Sequence, residues 1–318
     1  MLKDKIINRE AGILTYGITP PKLELSSERI SGIASIQLAR IQLLDVDALV
    51  VYDIKDESDR TSEARPFPFL PTMDAAEYCG RFFDALSVPK IIYRCVGKYT
   101  SDTLRNWILD APDEDKYSVF VGASSGHSTG LLRLPDAYDT ASGLRRNFYL
   151  GGVTIPERHT EKSDEHIRVF RKMQNGCEFF ISQAVYNVES AKSFLSDYYY
   201  LCLEKNVPMV PVLFTLTPCG SQKTLAFMRW LGISVPRWLE NELLHSDDIL
   251  SKSMDLSLRI FEELWNFARE KNIPVGCNIE SVSVRKEEID ASVVLVGKVR
   301  AIMRSSADGS VRPGGYTP

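Results

Sequence analysis

Hydrophobic residues in this chain alternate between two patterns. Short runs rich in β-branched and aliphatic residues are separated by longer stretches in which apolar positions recur every three or four residues. The runs Ile13 to Ile18, Ala48 to Asp53, Lys90 to Val96, Tyr117 to Gly122, Phe148 to Ile155, Glu178 to Gln183, Met209 to Thr215 and Val275 to Ile279 predict eight strands. Several, such as Ala48-Leu49-Val50-Val51-Tyr52, are almost continuously apolar, the pattern of strands buried on both faces. Between them, Ile30, Ile33, Ala34, Leu38 and Ile41 share one helix face, as do Met254, Leu258, Phe261, Trp265 and Ala268. Val188, Ala191, Leu195, Tyr198 and Cys202 form a further stripe, with Asn187 as its N-cap, and Ile289, Val293 and Val296 mark a last helix.

Strands that alternate with helices produce a parallel sheet covered by helices, an α/β fold. Two doubly wound domains would fit the same count, but no Gly/Pro/Ser-rich linker divides the chain near its middle. The expectation is therefore a single (βα)8 TIM barrel over residues 1–304. An insertion is expected at about residues 217–250, where Val235-Pro236-Arg237-Trp238 starts an extra helix. Residues 305–318, with Gly309, Pro313, Gly314 and Gly315, are expected to form a flexible tail.

Composition narrows the partners. Net charge is −4, with basic residues scattered among acids, which argues against nucleic acid. No run approaches the ~20 apolar residues of a membrane span, and the start shows no signal-peptide pattern, so a cytoplasmic location is expected. The six cysteines show no C-x-x-C pair, and the four histidines form no ligand motif; no metal is expected. A homo-oligomer stays open.

In a barrel, chemistry sits where strands run into loops at their C-terminal ends. Those segments are polar here: Gly17-Ile18-Thr19-Pro20-Pro21-Lys22, Asp53-Ile54-Lys55-Asp56-Glu57, Gly122-Ala123-Ser124-Ser125-Gly126-His127, Pro156-Glu157-Arg158-His159, Gln183 and Thr217-Pro218-Cys219-Gly220-Ser221. Bland roles compete at several positions. Asp53, Asp56 and Glu57 suit the first turn of the next helix, where the dipole favours acids. The Gly/Ser-rich stretch from Gly122 to Gly130 suits backbone binding of phosphate. Tyr198-Tyr199-Tyr200 reads as helix packing.

In order and spacing, these segments resemble the methylenetetrahydrofolate reductase family of flavin-binding (βα)8 barrels. Pro20-Pro21-Lys22 is similar to the family's Pro-Pro-Arg, and Ile155-Pro156-Glu157-Arg158-His159 to its Tyr-Pro-Glu-x-His. Lys172 with Gly176, then Ile181-Ser182-Gln183, resembles its Lys-x-x-x-Gly and Ile-Thr-Gln, and Val235-Pro236-Arg237-Trp238 its Ile-Pro-x-Trp. The resemblance implies FAD as cofactor, NADH or NADPH as electron donor, and a folate-like substrate. It places Tyr93, Gly122, Ala123, Ile155, His159, Glu165 and Lys172 at flavin positions, and Gln183, Ser221 and Tyr16 at substrate positions. A lysine and a histidine suit pyrophosphate oxygens and a carboxylate suits ribose hydroxyls; a glutamine offers donor and acceptor to a heterocycle edge. Lys172 and His159 also suit ordinary roles, as a solvated helix lysine and a loop histidine.

The chain departs from the family pattern at its chemistry. The glutamate that serves the family as general acid is Gly17, and the aspartate after the fourth strand is Ala123. The family's histidine after the third strand is Tyr93, its tyrosine before Pro-Glu is Ile155, and its substrate-stacking phenylalanine is Ser221. Three functions follow: a flavin-dependent oxidoreductase acting on methylenetetrahydrofolate or a related C1-carrying pterin; a reductase-like barrel that binds folate or flavin in assembly or sensing; or a barrel for another substrate, as in demethylation. If an acid is needed, Asp53 or Glu57 on the loop after strand two is the expected replacement for Gly17.

Overall fold

The computed structural model describes residues 1–58, 61–111, 113–122 and 131–308. Eight parallel strands close into one barrel in chain order: β1 (Leu14–Ile18), β2 (Ala48–Val51), β3 (Lys90–Cys95), β4 (Lys116–Val121), β5 (Phe148–Thr154), β6 (Cys177–Ala184), β7 (Val212–Leu216) and β8 (Val275–Ile279). Each agrees with its expected run to within a few residues. The single TIM barrel is therefore the observed architecture, and β8 pairs back onto β1 to leave no sheet edge.

Side-chain alternation sorts the apolar residues into two layers. Ile13, Ala48, Val50, Ile91, Tyr117, Val119, Tyr149, Phe179, Ile181 and Leu213 fill the barrel interior. A short helix α1 (Leu2–Ile7) plugs the N-terminal end, with Leu2 and Ile6 in that same cluster. Residues of the opposite parity, such as Leu14, Leu49, Phe120, Phe180 and Phe214, pack outward against the helices in a second, larger core.

The main covering helices are α2 (Ser27–Ile41), α3 (Ala75–Phe82), α4 (Ser101–Leu109), α5 (Leu134–Ala141), α6 (Arg158–Lys162), α7 (Glu165–Gln174) and α8 (Val188–Glu204). Ile30, Ala34 and Ile41 form the buried face of α2, and Asn187 caps α8 by accepting from Ser190 N. Between β7 and α11 (Ile249–Glu270) the chain inserts α9 (Gln222–Trp230) and α10 (Arg237–Leu244). The last helix, α12 (Lys286–Asp308), runs four residues into the stretch expected to be tail, and residues 309–318 lie outside the described residues. No helix among the described residues is long and apolar enough to cross a membrane. All six cysteines are free and buried.

Candidate functional site

At the C-terminal mouth the interior changes from apolar to polar. Thr15 of β1, Thr215 of β7 and Asn278 of β8 make one connected layer: Thr15 Oγ1 donates to Asn278 Oδ1 at 2.8 Å, and Asn278 Nδ2 donates to Thr215 Oγ1 at 3.1 Å. Thr215 Oγ1 donates in turn to the Ser182 carbonyl at 2.5 Å. Asn278 Nδ2 also donates to Tyr52 Oη at 2.8 Å, which carries the network up to the rim. All three residues of the layer are buried, so these bonds offset the desolvation of their polar groups.

Above this layer sit Gly17, Tyr52 and Glu280. The β1–β8 register pairs Thr15 with Asn278 and Tyr16 with Ile279, so the next step sets Gly17 beside Glu280. A Cβ on Gly17 would lie 2.7 Å from Tyr52 Cε2 and 3.1 Å from Glu280 Cβ. The space that a side chain at position 17 would need is thus occupied by a tyrosine ring and a glutamate. Burial pushes the Glu280 carboxyl up to about 7, against the pull of the neighbouring Tyr52 phenol. Burial and the neighbouring Glu280 charge in turn hold the phenols of Tyr52 and Tyr93 far above their ordinary value. The two rings meet edge-on, with centroids 4.7 Å apart.

Across the mouth, Gln183 at the end of β6 donates through Nε2 to the Leu231 carbonyl at 2.9 Å, while its Oε1 is buried with no partner. An orphaned amide oxygen at a barrel mouth is an acceptor site for a ligand N–H. Leu231 ends α9, whose Trp230 and Phe227, together with Phe69, surround the guanidinium of Arg65 at 4.9–5.3 Å. Lys22 lies near enough for the Arg65 charge, with burial as the larger cause, to lower its pKa. These two cations form a basic rim beside the aromatic residues. Ser221 is the N-cap of α9, its hydroxyl accepting from Thr224 N at 3.1 Å, which is a structural role. The buried Glu288 clamps the same loop by accepting from Gly220 N and Thr224 Oγ1, both at 2.7 Å.

Two expected positions are corrected by the fold. Tyr16 is 2% exposed and points outward, its hydroxyl 2.9 Å from Ser292 Oγ under α12. Because strand side chains alternate, the inward members of β1 are Thr15 and Gly17, and Tyr16 cannot reach a substrate in the mouth. Asp53 does not replace the missing acid: its carboxylate accepts from Cys95 N at 2.8 Å and Tyr99 Oη at 2.9 Å and is ion-paired with Lys98. It ties the loop after β2 to the turn after β3. Nor does it cap α3, a task done by Asp74. Glu57 is half-buried, and its charge acts on Arg65.

The positions that the resemblance gives to flavin divide. Tyr93 faces the barrel interior, whereas Gly122 is half-buried with its Cβ direction against Leu134. Ala123 lies outside the described residues, as does nearly all of the Gly/Ser-rich stretch. Glu165, 1% exposed, accepts from Thr154 Oγ1 at 3.0 Å and from Ile155 N at 2.8 Å. Lys172 donates to the Val153 carbonyl, and burial lowers its pKa. His159, 4% exposed, pairs through Nε2 with Asp197 at 2.9 Å and packs against His166 and Phe194. The lysine, histidine and carboxylate are thus bonded to protein groups in the layer between β5, α7 and α8, while His159 Nδ1 and Glu165 Oε2 are buried without a protein partner. Glu157, beside them, is also buried, and burial pushes its carboxyl up to about 8.

The reading of the sequence missed Glu280, Tyr52, Asn278 and Arg65. A signal existed for the first, since Asn278-Ile279-Glu280-Ser281 turns polar at the end of β8 as the other strand ends do. Nothing in spacing marks Tyr52, an apparent continuation of an apolar run.

Fold and mouth together define a (βα)8 barrel with a polar, carboxyl-bearing mouth at the C-terminal ends of its strands. The chain belongs to the methylenetetrahydrofolate reductase family. The model of that family, described as "Methylenetetrahydrofolate reductase", matches residues 146–264. A solved structure, an uncharacterized protein from Clostridium thermocellum that binds two copies of 5-methyl-5,6,7,8-tetrahydrofolic acid, is 52% identical, covering 95% of this chain and 100% of that one with a TM-score of 0.86. A psychrophilic family 10 endo-beta-1,4-xylanase (10% identity, 94% and 99% coverage, TM-score 0.49) and the dihydropteroate synthase of Xanthomonas albilineans (13%, 97% and 98%, 0.42) are far more distant. No curated protein matches the chain.

Proposed function

We propose that this chain binds a reduced folate carrying a C1 unit, of the 5-methyltetrahydrofolate class, and acts on that unit at the barrel mouth. The observation that carries the reading is the pairing at the mouth of an unpartnered acceptor, Gln183 Oε1, with the Asn278–Tyr52 hydrogen bond and the Glu280 carboxyl that adjoins it beside Gly17. A pterin edge presents both donors and acceptors, so it needs such a mixed wall. The basic rim of Lys22 and Arg65 suits the carboxylates of the folate's glutamate tail. Folate binding by the relative from Clostridium thermocellum supports the same ligand class.

Calorimetric titration of the purified chain with 5-methyltetrahydrofolate tests this. Saturable binding that weakens in Gln183→Ala and in Arg65→Ala is the expected result. No heat and no change in intrinsic fluorescence would overturn the reading.

A flavin-dependent oxidoreductase, with FAD reduced by NADH or NADPH, is the second reading. It is favoured by the family match over residues 146–264, which spans His159, Glu165 and Lys172. The protein partners of those three side chains weigh against it. A visible spectrum after incubation with FAD and gel filtration separates the two: a retained flavin band establishes the cofactor, and a colourless protein excludes it.

A further inference from the structure

We propose that Glu280 exchanges a proton with the folate nitrogen that bears the C1 unit, taking over from the adjacent strand the role for which position 17 has no side chain. This rests on the folate reading above and names the group that acts in that site.

The case begins with register. Gly17 and Glu280 stand side by side on neighbouring parallel strands, one step beyond the Tyr16–Ile279 pair. A Cβ at position 17 would fall 3.1 Å from Glu280 Cβ, so the glutamate leaves the barrel wall at nearly the place where a residue on β1 would have done. Of the two acids on the loop after β2, Asp53 is held by Lys98, Tyr99 and the Cys95 amide, and the Glu57 charge acts on Arg65.

Hydrogen-bond direction supports the same assignment. Asn278 Nδ2 donates to Tyr52 Oη, and Asn278 is fixed in that sense because its Oδ1 accepts from Thr15. Tyr52 therefore has its own proton to give, and its phenol lies close enough to Glu280 to lower the pKa of that carboxyl. The acid can lose its proton and leave a carboxylate that a phenol already stabilises. Glu280 is also half-buried, unlike Glu165 at 1% exposed. The titratable groups near it are Tyr52, just past β2, and Tyr93 from β3. Neither phenol ionises near neutrality, so burial and the Tyr52 phenol set where Glu280 titrates. That midpoint, about 7, suits a group that must both give and take a proton.

The step moves no electrons. The O–H bond of the Glu280 carboxyl breaks and an N–H bond forms at the folate amine, which gains a positive charge while the carboxylate keeps its negative one. A protonated amine is the better leaving group, so its bond to the C1 carbon weakens whether a bridge is being opened or a methyl group released. The reverse transfer restores the acid.

The experiment is a calorimetric titration with 5-methyltetrahydrofolate between pH 5.5 and 9, in buffers of differing ionisation heat, for wild type, Glu280→Gln and Tyr52→Phe. In wild type the protonated acid is the binding form. Affinity should then fall above pH 7, towards the one-proton limit of about tenfold per pH unit, with net proton uptake on binding. Glu280→Gln, which mimics the protonated acid, should keep its affinity and vary less than about twofold across the range. Tyr52→Phe removes the hydroxyl that lowers the Glu280 midpoint and should move the break to higher pH, a shift that a purely structural loss would not produce. If wild type binds but all three profiles coincide, the role of Glu280 is overturned while folate binding stands. If wild type does not bind, the folate reading fails first and this one with it. Should Glu280→Gln fail to fold, the Tyr52→Phe midpoint decides alone, since an unmoved break overturns the proposal.

Discussion

Two groups of buried carboxyls lie at the C-terminal end of this barrel, and they differ in what surrounds them. Glu280 at the end of β8 is half-buried and sits with Tyr52 beside Gly17, above the Asn278–Thr15 layer. Glu157 and Glu165 lie under α6 and α7, buried among His159, Lys172 and the ends of β5. Burial raises the pKa of both Glu280 and Glu157, to about 7 and about 8. A perturbed carboxyl therefore does not by itself locate a site. Access does: a group sealed in the outer layer can strengthen or weaken the fold, whereas one open to the mouth can exchange a proton with a ligand.

The widest separation between the two groups should come from pH. Folded Glu157 holds its proton up to about pH 8, whereas an unfolded chain releases it near the ordinary value of 4.5. The folded state then carries the extra proton between those limits, so stability falls as pH rises through the window, by up to about 1.4 kcal/mol per pH unit. Urea denaturation at pH 5.5 and pH 8 should show this slope in wild type and a shallower one in Glu157→Gln, which keeps the share that comes from Glu280. Equal slopes would mean that Glu157 reaches solvent.

Next in size, Glu165→Ala leaves the Thr154 hydroxyl and the Ile155 amide without their acceptor. It should cost about 2–3 kcal/mol of stability with folate affinity unchanged. A loss of folate binding without destabilisation would transfer this cluster to the site and restore the flavin-type reading of its neighbours.

Gly17→Ala presses a methyl group onto Tyr52 Cε2 at 2.7 Å. Overpacking of this kind costs about 1–3 kcal/mol, and displacing the tyrosine should also shift the pH profile of folate binding. Thermal melts and the titration described above read both; a stable Gly17→Ala with an unchanged profile would show that Tyr52 and Glu280 are not tightly set.

The smallest effect is expected on the opposite wall. Gln183→Ala should leave the melting temperature nearly unchanged and weaken folate binding about tenfold, the worth of roughly one hydrogen bond to the ligand. The reverse outcome would make the Gln183–Leu231 bond a structural tie for α9.

The sequence alone determined the architecture. Eight apolar runs alternating with amphipathic stretches specify a parallel barrel, because a strand buried on both faces and a helix with one apolar face have few other ways to bury their surfaces together. The motifs around Ile155–His159 and Gln183 likewise marked the family, since they are contiguous in the chain and readable as text. What tertiary structure alone decided was direction and neighbourhood. A difference of one residue sends Tyr16 outward and Gly17 inward, and spacing gave no warning that the substrate position assigned to Tyr16 lay on the wrong face. Asp53 and Glu280 are both acids past the ends of the two strands that adjoin β1, but on the β2 side the register sets Gly17 beside Val50, three residues before Asp53. Only closure of the barrel, which brings β8 against β1 across more than 250 residues of chain, sets one beside the vacant position while Lys98 and Tyr99 draw the other away. Proximity of that kind comes from ring closure, and a linear pattern of residues does not encode it locally.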